Sequence, residues 1–270
     1  MTRRTWPATV LATVVVGIFF LPVVWTVETA LKTKVDAWSM PPKWLFSADL
    51  ANFASALFDH GFMTYLLNSA IVASGTVVVA LVLGSLAAYG LERFRFRGGN
   101  ALFFGFLLAY MIPELSIALP VYLLATQLGI LDTYWLLIAM HATFATAFAT
   151  WMLRGFFAEV PREIEESALV DGAGRLGVFL RIAIPLAAPG LVATAVFVLI
   201  FSWNDLPYSL VLSSVNTETL PVAVGTLKTP AGTAWGEIMA VTTIAFVPTA
   251  LFALLVQRWL LRGLTFGAVK

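Results

Sequence analysis

The residues best suited to chemistry lie in one polar stretch set between apolar runs, Glu159 to Pro185, EVPREIEESALVDGAGRLGVFLRIAIP. Four carboxylates and Arg162 fall between Glu159 and Glu166, and Asp171-Gly172-Ala173 follows. In a chain that is 60% hydrophobic and 11% charged, such a stretch cannot sit in hydrocarbon and must face water or another protein. The chemistry it suits is recognition, because ionised carboxylates make strong charge-assisted contacts with basic side chains. Two further carboxylates, Glu114 and Asp205, lie within or beside apolar runs. An Asp at mid-depth in a bilayer costs at least ~2.5–3.5 kcal/mol on insertion scales, so such a group faces a cavity or a partner. His60 and His141 are far apart and without neighbouring ligands, so no metal site is expected; His141 is expected to be a satisfied intrahelical residue. Cysteine is absent, which removes disulfides and thiolate metal sites.

The polar stretch reads as helix, hinge, helix. Pro161 suits a first helical turn, where its missing N–H costs nothing. Glu163, Glu165 and Glu166 then lie near the positive end of the short helix, and Glu163 and Glu165 are expected to be solvated charge. Gly172 is placed for a left-handed turn that ends it. From Arg175 a second short helix places Leu176, Phe179 and Leu180 on one face at i, i+3, i+4 spacing. Ile184 precedes Pro185 and is biased away from helix, so a break is expected there.

The elements that position this stretch follow from hydropathy. A mean hydropathy of +0.91 with repeated apolar runs of about 20 residues predicts an all-α polytopic membrane protein. Six transmembrane helices are expected, near residues 6–27, 64–90, 101–124, 134–153, 186–203 and 237–260, with a cytoplasmic loop at 154–185 and an outer loop at 204–236. The first run follows Arg3 and Arg4 but is too long, and lacks a small-residue cleavage site, for a signal peptide. Residues 28–62, with Trp38, Pro41, Pro42 and Trp44, suit an outer interface. Pro113, Glu114 and Pro120 predict a kinked or broken third span whose freed carbonyls face protein or a cavity. With this layout twelve of the 16 lysines and arginines lie inside and only Lys32, Lys34, Lys43 and Lys228 outside. The positive-inside rule then puts both termini in the cytoplasm.

A family resemblance becomes specific on Glu166-Ser167-Ala168, Asp171-Gly172-Ala173, Ile182 and Ile184-Pro185. Their order and spacing resemble the "EAA" loop of the membrane subunits of bacterial ABC importers, with Ser167 for the usual Ala and Ile184 for the usual Leu. Asn68-Ser69, Ala87-Ala88-Tyr89 running into Arg93-Phe94-Arg95-Phe96, Met111-Ile112-Pro113 and Leu128 to Thr133 resemble the maltose-type (carbohydrate) branch. So do Trp203-Asn204-Asp205, Leu220-Pro221-Val222-Ala223 and the closing Gly263 to Lys270. The resemblance covers nearly the whole chain.

What it implies is a type I ABC importer permease fold in one domain, 1–270, in the bacterial cytoplasmic membrane. It implies a second, homologous permease, two ATPase subunits, an extracytoplasmic solute-binding protein and a sugar substrate, within membrane lipid and with no nucleic acid. No GxxxxGKS/T loop occurs, so ATP and Mg are expected on the partner ATPases, with no cofactor on this chain. The resemblance makes Glu163, Glu166, Ser167, Ala168, Asp171, Gly172, Ala173 and Pro185 candidates for ATPase coupling, with Glu166 as the contact to a basic residue. The tail from Thr265 to Lys270 is expected to reach the ATPases. Polar groups and aromatic faces make Asn68, Tyr110, Glu114, Trp203, Asn204 and Asp205 candidates for the substrate path. Val215, Asn216, Thr217, Glu218 and Thr219 are candidates for contact with the binding protein. A permease for a polyamine, amino acid or inorganic ion shares the EAA loop and is the alternative. A membrane protease would need an HExxH or a GxS setting, neither of which is present, and a secondary transporter would need no ATPase-shaped loop.

Overall fold

The computed structural model describes residues 6–59, 61–94, 96–229 and 232–266. Arg3, Arg4, His60, Arg95 and the end of the expected tail contact, 267–270, lie outside the described residues. In chain order the helices are α1 (Trp6–Ala30), α2 (Lys34–Ala37), α3 (Ala51–Ala54), α4 (Phe62–Arg93), α5 (Gly99–Tyr110), α6 (Glu114–Leu128) and α7 (Tyr134–Glu159). They continue with α8 (Arg162–Val170), α9 (Arg175–Val178), α10 (Ile184–Leu186), α11 (Ala188–Trp203), α12 (Pro207–Leu212), α13 (Leu220–Val224) and α14 (Trp235–Phe266). A two-residue antiparallel ladder, Lys228–Thr229 against Gly232–Thr233, precedes α14.

Helix dominates because a chain this apolar must satisfy its backbone internally. Among the described residues, four helical stretches are long and apolar enough to cross a membrane: Thr9–Ala30, Phe62–Arg93, Tyr134–Glu159 and Trp235–Leu254. Two bent pairs also pass jointly, Gly99–Tyr110 with Glu114–Leu128 at 85° and Arg175–Leu186 with Ala188–Trp203 at 77°. The first bend falls at Met111 to Pro113, where Pro113 lacks an N–H and biases Ile112 out of the helix. The second corrects the expected break at Pro185. A π-turn over Phe179–Ala183 re-registers the ladder, so Pro185 falls in the first turn of α10 and the helix ends at Ala187 instead.

The described chain forms two compact units, Met1–Thr64 with Ala223–Pro248, and Tyr65–Val222 with Thr249–Lys270. In the first, Asn52 Nδ2 ties the residues after α1 by donating to the carbonyls of Ala30 (2.9 Å) and Lys32 (2.7 Å). The buried Lys32 ammonium pairs with Glu28 at 2.7 Å and lies over the Trp25 and Phe46 rings.

The second unit has one core where Ala80 and Ala88 of α4 meet Ala145, Ala149 and Phe157 of α7, with Phe179 and Val198. Another gathers Val72, Ala118, Leu137, Tyr208 and Leu212. The α4–α7 approach requires Gly84, since a Cβ there would stand 2.6 Å from Ala149 Cβ and 3.3 Å from its backbone. Small residues at a crossing are how apolar helices pack in lipid, where burial alone drives little association. Residues 204–236, expected as an outer loop, include the short helices α12 and α13. Tyr208 and Leu212, one turn apart, are fully buried and seat α12 on α6 and α7.

Candidate coupling surface and cavity

Helix α8 begins directly after Pro161, with Glu163 and Glu165 in its first turn, where negative charge opposes the helix dipole. It ends in a Schellman turn: Ala173 N–H donates to Ala168 O (3.0 Å), and Gly172 N–H donates to Leu169 O (3.1 Å). Gly172 closes that turn at φ +89° with open space around it. Glu163, Glu166, Ser167, Asp171, Gly172 and Ala173 are exposed, Ala168 is half-buried, and Pro185 is exposed on α10. Ile164, Leu169 and Leu176 are exposed beside them. The surface thus combines carboxylates with apolar side chains, a pattern suited to a partner groove with basic and apolar walls.

The inner face of α8 departs from the expectation of solvated charge. Glu165 is buried, forms an ion pair with Arg93 (Nη2 at 2.8 Å), and accepts hydrogen bonds from Arg93 Nε at 2.9 Å and the Tyr89 hydroxyl at 2.7 Å. Arg93 also donates to the carbonyls of Phe157 and Val160, both at 2.8 Å, at the end of α7. Tyr89 and Arg93 stand at i, i+4 on one face of α4, and that spacing beside an acidic helix is the signal that could have found the set. Nearby, Arg154 and Arg162 reach Glu92 at 3.3 and 3.8 Å. The expected common face of Leu176, Phe179 and Leu180 is divided, because Phe179 turns inward onto Tyr89 while the two leucines stay exposed.

A cavity of about 710 Å³ opens where the α5–α6 bend meets α7, α11 and α12. Tyr110, Glu114, Asn204 and Asp205 line it, with His141, Phe144, Phe148, Phe201 and Tyr208. Its aromatic rings are mutually packed, Tyr110 on Phe144 at 6.1 Å and Phe144 on Tyr208 at 5.8 Å between centroids. Asp205 Oδ1 caps α12 by accepting from Ser209 N–H (3.2 Å) and Oγ (3.3 Å). His141 lies within α7, and its Nδ1 bonds Ser202 Oγ at 2.7 Å across to α11. Its Nε2 lies 3.1 Å from Asp205 Oδ1 and makes no hydrogen bond. Trp203 is buried and does not line the cavity. Asn68 belongs elsewhere, donating to the carbonyls of Asn216 (3.2 Å) and Glu218 (2.9 Å) and accepting from Tyr134 (2.7 Å).

The 213–219 stretch folds around Asp132, a residue that sequence reasoning passed over. Asp132 Oδ1 accepts from Ser214 N–H (2.8 Å), Thr217 N–H (3.0 Å) and Thr217 Oγ1 (2.7 Å). Its Oδ2 accepts from Asn216 N–H (3.0 Å) and Nδ2 (2.9 Å). Burial alone would raise the Asp132 carboxyl, but the bonds from Asn216, Thr217 and Ser214 outweigh it and hold the group below the usual carboxylate range. Burial, then the Asp132 charge, push Glu218 up. Val215 and Asn216 are exposed, Glu218 is half-buried, and Thr217 and Thr219 are buried.

Comparison with known proteins agrees along most of the chain. The family described as "Binding-protein-dependent transport system inner membrane component" matches residues 80–266. The chain is 36% identical over 270 residues to the diacetylchitobiose uptake system permease protein DasC of Streptomyces coelicolor, covering 99% of this chain and 97% of that one. It is 37% identical over 274 residues to the trehalose transport system permease protein SugB of Mycobacterium tuberculosis, covering 99% and 98%. Among solved structures, a bacterial ABC transporter involved in import of the acidic polysaccharide alginate shares the fold. Its TM-score is 0.75 at 21% identity, covering 96% of this chain and 98% of that one. With this match and a described chain of apolar helices joined by a short α8–turn–α9 surface, the protein belongs to the family of binding-protein-dependent transport system inner membrane components, membrane transport subunits that are not themselves catalytic.

Proposed function

We propose that this chain is a membrane-spanning permease subunit of an ATP-driven importer that moves a carbohydrate delivered by an extracytoplasmic solute-binding protein. The observation that carries the reading is the exposed carboxylate-bearing helix α8, held against a Gly172 turn, at the family's coupling position. Residues 1–270 form one permease domain in a bacterial cytoplasmic membrane. Each bent helix pair counts as one span, which gives six, with both termini inside by the charge argument. Glu166 contacts a basic residue of an ATPase subunit, with Glu163, Ser167, Ala168, Asp171, Ala173 and Pro185 shaping the docking surface. ATP and Mg are held by two such ATPases, and a second permease completes the pathway.

The sugar reading is supported by relatives named for diacetylchitobiose and trehalose. A cavity lined by aromatic rings with Glu114, Asn204 and Asp205 suits it too, since sugars present hydroxyls to polar groups and C–H faces to rings. Val215 and Asn216, the exposed tip of the Asp132 knot, face the binding protein. Reconstitution with an ATPase, a second permease and a binding protein of the same transport system provides the test. ATP-dependent uptake of a labelled oligosaccharide into proteoliposomes is expected. Uptake of a polyamine or amino acid instead, or none with all subunits assembled, refutes the reading.

A further inference from the structure

The contacts of Arg93 bear on how a stroke at α8 reaches the membrane helices, an inference that rests on the importer reading. A coupling helix acting as a free lever would touch its neighbours through apolar contacts that slide. Here the joint is ionic. The Arg93 and Glu165 side chains are only 8% and 7% exposed, and the guanidinium holds Glu165 by two nitrogens, Nε at 2.9 Å and Nη2 at 2.8 Å. The same Nη2 donates to both Phe157 O and Val160 O at the end of α7, Phe157 O also accepting from Val160 N–H at 3.2 Å. Tyr89 OH closes the second oxygen of Glu165. Three helices, α4, α7 and α8, therefore share one buried charged centre. Tilting α8 alone would strip a buried carboxylate and a buried guanidinium of their partners, which is among the costlier single changes a fold can make.

We infer that Arg93 and Glu165 lock α8 to the ends of α4 and α7, so that these three move as one body and the ATPase stroke is delivered directly to the α4–α7 pair. Arg93, Glu165 and Tyr89 are positioning residues in this scheme, distinct from the exposed side chains that meet the ATPase. The flexing points then lie outside the locked body, at the α5–α6 bend and at Ala187.

The chain has no cysteine, so paired Cys substitutions at exposed Val170 on α8 and exposed Trp135 at the far end of α7 provide the only sites for spin labels. Pulsed dipolar distances are measured in the assembled complex with its ATPase subunits, nucleotide-free and with MgATP. The expected result is a distance constant within about 2 Å between the states. With Glu165→Gln added, the distance should differ between the states by about 5 Å or spread to that width, because α8 follows the ATPase while α7 lags. Tyr89→Phe, which deletes one bond and leaves the ion pair, should stay rigid, and it serves as the assembling control. A parent distance that changes by a helical turn between states, or a Glu165→Gln complex as rigid as the parent, overturns the inference. If Glu165→Gln does not assemble, the parent and Tyr89→Phe distances decide alone, rigid for and moving against. A parent chain that recruits no ATPase refutes the importer reading itself, and the inference falls with it.

Discussion

Asp132→Asn isolates the charge that orders the 213–219 stretch. Asp132 lies at φ +59°, a left-handed conformation that Asn also accepts, so the change alters hydrogen bonding without adding backbone strain. The amide oxygen can take the place of Oδ1 and keep its three donors, but the new NH₂ then faces two further donors, Asn216 N–H and Nδ2. Bonds to a charged acceptor contribute ~1.5–3 kcal/mol each and neutral ones ~0.5–1.5, so each retained bond weakens by about 1 kcal/mol. The two from Thr217 are shielded from water, since that residue is 1% exposed, and account for about 2 kcal/mol. Ser214 and Asn216 are exposed and can turn to water, so they add only about 1 kcal/mol together.

A loss of about 3 kcal/mol raises the open population of the stretch roughly 100-fold. Amide hydrogen exchange on detergent-solubilised protein reads this directly. Protection at Ser214, Asn216 and Thr217 should fall by about two orders of magnitude, while the α7 amide of Leu137 stays unchanged. A change below about threefold would mean that the charge contributes under 1 kcal/mol and that packing of Thr217 holds the stretch instead. The pH dependence carries its own sign. The folded Asp132 value lies below its unfolded value of about 3.9, so its contribution is full above that value and is lost as pH falls through the folded one. With Glu218→Gln in the background to remove the neighbouring carboxyl, exchange corrected for intrinsic rates should be flat from about pH 8 to pH 5 and rise only in stronger acid.

Glu218 has the opposite sign, since its raised carboxyl contributes stability below the unfolded value that is lost as pH rises through the folded one. Glu218→Gln should therefore increase protection of the same amides at pH 8 and leave it unchanged near pH 4; decreased protection at pH 8 would contradict this. At Gly172, φ +89° with open space makes the cost conformational, about 1–3 kcal/mol for a β-branched residue. Gly172→Val should stay in the membrane but hydrolyse ATP without matching uptake, and parental uptake in vesicles would count against a role for the turn. Gly84→Ala should destabilise although it adds one methyl group, because the new Cβ meets Ala149 Cβ at 2.6 Å. A cost of about 1–3 kcal/mol should lower the thermal midpoint in detergent, and an unchanged midpoint would show that α4 and α7 separate freely.

Much of this architecture was legible in one dimension. Apolar runs long enough for a bilayer imposed helices, and the 85° bend between α5 and α6 follows from Pro113. The end of α8 at Gly172 follows from the one residue type that closes a left-handed turn without strain. The expected break at Pro185 failed because a proline's local effect depends on the hydrogen-bond register that reaches it, and the π-turn over Phe179–Ala183 had shifted that register.

The polar residues divide in the same way. A carboxylate's exposure depends on what stands opposite it in space, and periodicity within α8 cannot tell Glu163 from Glu165. Only folding, which brings Arg93 from 72 positions away, makes Glu165 a buried partner and leaves Glu163 in water. Asp132 and the residues it binds are separated by 82 to 85 positions. Asn68, polar enough for a sugar path, is drawn to a loop anchor by residues 66 to 150 positions away, and Trp203, aromatic enough for one, is buried. The long apolar helices, the bend at Pro113 and the stop at Gly172 could be read along the chain, because those outcomes depend on neighbours within one or two turns. Which charges are buried, which line the cavity and which remain for a partner was decided by tertiary contact alone, since desolvation is a property of the surroundings and not of the residue.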